Sequence, residues 1–469
     1  MKACTLQFRA LATLALVGLT VVAMEAQNLT NRGTIRNTGT ATYTSITNHR
    51  TGTGGTILNS GTLNSNTTFV NGDGATALGT VHNFIGGGTA GTIRVTTNLT
   101  NGGGYWDNDS LNATVGRTRV GGVLTTTGSL FDTDSGAIEY FGAGGQSVVA
   151  TTYGALIASV GGTKTMSGTV VVRDTFRITT GATFATSLTT DSLAMLATTQ
   201  TNAGTFTAAN GGVNYGADAN QTVYGGTYER LYLSGSTAAR SKTTTSGLAF
   251  AASGVLNVGA FDTLAVTGGN LNLNTNTPSF TNSSAVKVMA DATFHGGITD
   301  AGTFYYAGTG AQAIGSVTYT NLRLGGSGGK NFPNATVGIL GNYTLDFGVG
   351  TRDYITAGTS ATLAFQGTAG SQTVNNLDGE GLNVLQFSGA ATKSLGGVNF
   401  SANQLSVLGT SGTVTNSITG TLTLANITTL SMSVASSATF VNGSTATITM
   451  NGDLENDGTI VNDGTISVY

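Results

Sequence analysis

Along this chain apolar residues return every six positions near both ends and every second position through the middle. Neither interval belongs to a helix. The six-residue pattern reads aliphatic-x-Asn-x-Gly-Thr: Leu29-Thr30-Asn31-Arg32-Gly33-Thr34 passes straight into Ile35-Arg36-Asn37-Thr38-Gly39-Thr40. It returns over residues 57–63, with Phe69 six residues on, and is most regular over 454–459 and 460–466. Six residues turn an α-helix by about 1.7 turns, which would scatter these side chains around the cylinder. On a strand an even spacing keeps them on one face. Asn with Gly two residues later supplies a corner, since both tolerate positive φ and Asn bonds locally to the backbone. Thr beside each aliphatic favours the extended chain. Each hexad therefore predicts a short strand and a corner.

The middle carries a longer unit in four copies. They begin at Tyr140-Phe141-Gly142 with Gln146 and Val148, at Tyr215-Gly216 with Gln221 and Val223, at Tyr306-Ala307-Gly308 with Gln312 and Ile314, and at Phe365-Gln366-Gly367 with Gln372 and Val374. Each copy reaches a lysine: Lys164, Lys242, Lys330 and Lys393. Alternation follows, as in Val170-Val171-Val172 and Leu248-Ala249-Phe250, which is the period of a strand with one buried face. Gly and Thr interrupt every window a helix would need.

Short strands of this kind do not persist alone. Stacked coil upon coil, each bonds to the strand above and each aliphatic packs on its counterpart. The expected fold is all-β, a parallel β-helix or β-solenoid. The asparagines would form amide ladders at its corners. The expected sections are a hexad-type part over 27–135, a central part with the four long repeats over 136–410, and a second hexad-type part over 411–469.

Composition supports an ordered chain. Gly accounts for 71 of 469 residues and Pro for two, and charged residues are 9% of the total, against roughly 25% in an ordinary soluble domain. Regular Val, Ile, Phe and Tyr argue against disorder, and scarce Pro suits internal ladders. Residues 1–26 read as a signal peptide: Lys2 and Arg9 precede the apolar run 10–23, with cleavage after Ala23 or Ala26. Cys4 lies before that run and leaves with it, so no disulfide or thiolate site is expected. Beyond residue 26 there are 17 basic and 21 acidic residues, which offers no footprint for nucleic acid and no polybasic membrane anchor. After signal removal no membrane span is expected. The expected location is extracellular or on the outer cell surface.

The hexads, with their Asn-x-Gly-Thr-Ile wording, resemble the repeats of filamentous haemagglutinin-like exoproteins and autotransporter passenger domains. The Tyr-x-Gly…Gln-x-Val…Lys unit resembles one found in large surface proteins of Gram-negative bacteria. The resemblance implies a right-handed parallel β-helix and an exported protein. The chain shows no translocating barrel or secretion domain of those families.

Candidate chemistry is sparse. His49, His82 and His295 share no motif, and Asp107-Asn108-Asp109 and Asp132-Thr133-Asp134 lack the Glu of a calcium loop. Acids at turns bonding the backbone account for them more simply. No catalytic, cofactor or metal residues are expected, and the chain is read as a non-enzyme. Tyr105-Trp106 admits two readings, a platform for a sugar ring or a plug packed on the solenoid; usual Trp burial favours the plug. The recurring lysines admit two as well, a basic stripe for an acidic glycan or edge residues that block aggregation.

The leading functional expectation is a structural fibre subunit whose partner is another copy of itself. Its ends, marked by Leu29 and Ile35 and by Leu454, Ile460 and Ile466, would stack head to tail. A glycan- or cell-binding adhesin is the alternative, with a β-helical polysaccharide-degrading enzyme behind it.

Overall fold

The computed structural model describes residues 27–469 except 49–54, 73–78, 86–88, 103–104, 109–115, 128–135, 274–278, 295–298, 347–354, 358–359, 378–381, 398–399, 410, 419–420 and 425–429. The signal-peptide reading of 1–26 lies outside the described residues, as do His49, His295, Asp109, Asp132 and Asp134. The described residues form strands, turns and bends with no helix among them. The chain is an all-β parallel solenoid. It divides into two compact units, Met1–Ala217 and Asp218–Tyr469. The division falls inside the second long repeat.

The first coils of the N-terminal unit have three strands each, as the hexads require. Leu29–Asn31, Thr34–Asn37 and Thr40–Tyr43 make one coil. Above them stand Ile46–Asn48, Thr56–Asn59 and Thr62–Ser65, each parallel and in register with its counterpart. The hexad aliphatics fall into columns because of that register. Ile46, Phe69, Leu99 and Leu124 line one face, and Ile35, Ile57, Val81 and Trp106 line the next. Nearly all of these are fully buried, at roughly 1.5–3 kcal/mol for each large apolar side chain. An antiparallel pair, Thr89–Ala90 with Phe84–Ile85, interrupts the parallel pattern.

The expected amide ladders are present. Asn31 donates through Nδ2 to Asn48 Oδ1 at 2.8 Å, Asn48 to Asn71 at 2.9 Å, and Asn71 to Asn101 at 2.8 Å. A second ladder runs Asn37, Asn59, Asn83 and Asn108. Local bonds fix which way each amide faces: the Gly33 N–H donates to Asn31 Oδ1, while Asn31 Nδ2 also donates to the Thr56 carbonyl. Every link therefore points the same way, from lower to higher residue number.

From Ala137 the first long repeat brings in longer strands. Ala137–Tyr140 pairs with Thr152–Ala158, and that strand pairs with Thr169–Ile178. Gln146–Val148 pairs with Thr163–Met166, and that strand with Thr183–Thr186. Tyr140 and Tyr153 meet inside, hydroxyl to hydroxyl at 3.0 Å.

In the C-terminal unit one ladder of twelve parallel strands runs from Gln221–Thr222 to Thr459–Asn462. Another climbs from Thr318–Tyr319 to Thr465–Val468. Its tyrosine pair, Tyr306 and Tyr319, repeats the Tyr140–Tyr153 geometry at 2.9 Å. An asparagine ladder reappears near the end, Asn416 to Asn442 at 3.0 Å and Asn442 to Asn462 at 2.8 Å.

Candidate assembly interface

The residues expected to mark the two ends sit at sheet edges. Leu454 belongs to Asp453–Asn456, Ile460 to Thr459–Asn462 and Ile466 to Thr465–Val468. Among the described residues these strands pair on one side only, with 430–434, 439–442 and 447–450 below them. Their aliphatics occupy the columns of Met432, Phe440 and Ile448, all fully buried. One coil further on the same positions are open: Leu454 is 39% exposed, and Ile460 and Ile466 are half-buried. Val468 at 57% and Tyr469 at 82% join them. Leu29 and Ile35 lie in strands that also pair on one side only among the described residues, and both are half-buried.

The charge on the two edges differs in sign. Asp453, Glu455, Asp457 and Asp463 stand exposed on the last coil, with no basic residue among 453–469. Arg32 and Arg36 stand exposed on the first, with no acid among 27–43. Among the described residues each edge offers backbone N–H and C=O groups with no strand beside them, an apolar interior column and a charged rim, which is a template for adding another parallel strand.

The recurring lysines are not on a surface. Lys164, Lys242, Lys330 and Lys393 are all fully buried, so both the basic-stripe and the edge-guard readings are corrected. Each Nζ donates to corner carbonyls. Lys330 reaches Gly328 O at 2.7 Å and Gly308 O at 3.2 Å; Lys393 reaches Gly389 O at 2.8 Å and Ala391 O at 2.7 Å. Lys164 bonds Gly142 and Gly161, and Lys242 bonds Ala219 and Gln221. Burial pulls Lys330 and Lys393 down to about 8 and lowers the other two.

Beneath each lysine lies the glutamine of its own repeat, one coil earlier and in register. Gln312 accepts from Gly308 N–H at 2.7 Å and donates to Ala290 O at 2.6 Å. Gln146 makes the same set with Gly142, Val120 and Gly122. Gly142 must be glycine: a Cβ there would come within 2.0 Å of the Gly121 carbonyl. The Gln–Lys column is thus internal strapping, satisfying backbone groups where the coils turn.

Trp106 lies in the core column above Val81, fully buried, its ring edge-on to Phe69 at 5.0 Å and its N–H on Thr118 Oγ1 at 3.2 Å. An indole so enclosed presents no face to a sugar. It sits within a strand rather than in a plugging loop, and Tyr105 beside it is half-buried.

One grouping was not legible beforehand. His82 Nδ1 lies 3.2 Å from Asp107 Oδ2, and the Tyr105 hydroxyl donates to the same oxygen at 3.3 Å. Only the register, which places Asp107 one coil above His82, brings these together. Glu139 forms a second cluster, nearly buried and bonded by Ser159, Arg117 and Arg119. Burial alone would raise its carboxyl; the Ser159 and Arg119 hydrogen bonds and both guanidinium charges outweigh that and hold it low. Among the described residues no group of three His, Cys, Asp or Glu is placed to hold a metal ion, and no helix is long and apolar enough to cross a membrane.

Fold and edges together define a β-solenoid repeat protein. Compared with protein-family models, curated proteins and solved structures, the chain matches none of them.

Proposed function

We propose that this protein is an exported, non-enzymatic structural subunit that joins head to tail with further copies of itself at the cell surface or outside the cell. The observation that carries the reading is the match between the two edge coils. Leu-x-Asn-x-Gly-Thr-Ile-x-Asn-x-Gly-Thr runs through both 29–40 and 454–465, so one edge is a continuation of the other. Such a contact uses unlike surfaces and does not close, which makes a filament. Export is supported by the signal-like first 26 residues and by the resemblance of the hexads to filamentous haemagglutinin-like and autotransporter-passenger repeats. The adhesin reading loses the aromatic it began from, because Trp106 lies in the core.

Electron microscopy and sedimentation of the purified protein test this. Filaments should lengthen with protein concentration, and deletion of residues 452–469 should leave single particles. Single particles at every concentration would overturn the proposal.

A further inference from the structure

The head-to-tail reading leaves open what prevents the edges from joining the wrong way round. Resting on that reading, we infer that the acidic C-terminal coil of one copy recognises the basic N-terminal coil of a second copy in a single register, with Leu454 beside Leu29, Ile460 beside Ile35 and Asp457 beside Arg32.

The register follows from the internal stacking rule. In the first coils and in the ladder that ends at Asn462 the hexad strands stack parallel, aliphatic on aliphatic and Asn on Asn; Leu454 keeps the aliphatic column above Met432, while Asn456 stands above Val434. Continued across the junction, that rule sets Asn456 against Asn31 and Asn462 against Asn37. It also brings Asp457 directly opposite Arg32 and puts Asp463 diagonal to Arg36, at strand spacings of about 4.8 Å.

Two independent features point the same way. The first is charge: joining two C-terminal coils would set Asp453, Glu455, Asp457 and Asp463 against their own copies, and joining two N-terminal coils would oppose Arg32 and Arg36. Like charges across an interface reject a wrong partner. The second is the sense of the amide ladder. Each Asn donates Nδ2 to the Oδ1 of the next coil, from Asn31 up to Asn101 and from Asn416 up to Asn462. The C-terminal ladder therefore ends in a donor, Asn462 Nδ2, and the N-terminal ladders begin with acceptors, Asn31 Oδ1 and Asn37 Oδ1. Asn462 Nδ2 has no ladder partner among the described residues, and the Asn37 Oδ1 of another copy would supply one. Two last coils face to face would bring donor against donor.

The test is a charge exchange in the full chain, read by sedimentation velocity. Arg32→Asp and Asp457→Arg should each raise the concentration needed for assembly about tenfold or more, with circular dichroism and melting temperature unchanged because both side chains are exposed. An equimolar mixture of the two variants, in which every junction again pairs opposite charges, should assemble as the unaltered protein does. The double variant should do so on its own. If the unaltered protein assembles and the single variants assemble equally well, the register is wrong while the head-to-tail reading stands. Folded single variants whose mixture stays dispersed overturn the register as well. If the unaltered protein never assembles, the head-to-tail reading itself fails.

Discussion

At the scale of single residues, the buried lysines carry the clearest consequence. In the folded chain Lys330 and Lys393 titrate near 8, against 10.5 for an unburied lysine. Between those values the unfolded chain holds protons the folded one has released, so stability rises with pH across this window. Below about 8 the full cost of a buried ammonium is present. Urea midpoints should therefore climb between pH 7.5 and 9.5, by a free energy on the order of 1 kcal/mol or more per lysine. Lys330→Met with Lys393→Met should flatten that climb. Gln312→Leu should cost about 2–3 kcal/mol by the same measurement, since it strands the Gly308 N–H and the Ala290 carbonyl. The repeats made both residue types easy to find in the sequence, yet their role was misread for lysine. Charged side chains are ordinarily exposed, and only the stacking register shows that each Lys sits above its own Gln at a corner full of carbonyls.

At the scale of strands and corners, the hexad proved the most legible signal. It specified strand, corner and amide ladder together, because a period of six with Asn and Gly at fixed offsets leaves one extended geometry open. Asn71 sits in mid-ladder, receiving from Asn48 and donating to Asn101 and to the Tyr105 carbonyl. Asn71→Leu should cost about 2–4 kcal/mol, because the buried partners above and below lose a bond. Asn462→Ala, on the exposed last coil, should cost no more than about 1 kcal/mol. Thermal melts of the two variants compare them directly, and equal losses would mean that the ladder contributes little. The His82–Asp107–Tyr105 grouping stayed hidden from the sequence because its members meet across coils whose lengths no local motif fixes.

At the scale of the whole molecule, the sequence announced stacking but not the division at Ala217, which cuts through a repeat. The edges were legible as matching hexads. Their opposite charge becomes meaningful only once exposure is known: Asp457 and Arg32 both stand in the open. If edge charges set the junction, added salt should weaken assembly, since exposed pairs are screened within about 10 Å at 0.1 M. Sedimentation at 50 and 500 mM sodium chloride checks this, and insensitivity to salt would assign the junction to the apolar column and the backbone ladder alone. One further feature reaches beyond assembly. Successive members of the first asparagine ladder lie 17, 23 and 30 residues apart, yet the hydrogen bonds between them hardly change. The length of a coil is thus free of its stacking: coils of unequal length keep one register. A foreign peptide added to such a coil would leave the register of its neighbours unaltered. Such a protein can acquire new surface loops one at a time, each varying independently, while the scaffold that carries them keeps its register.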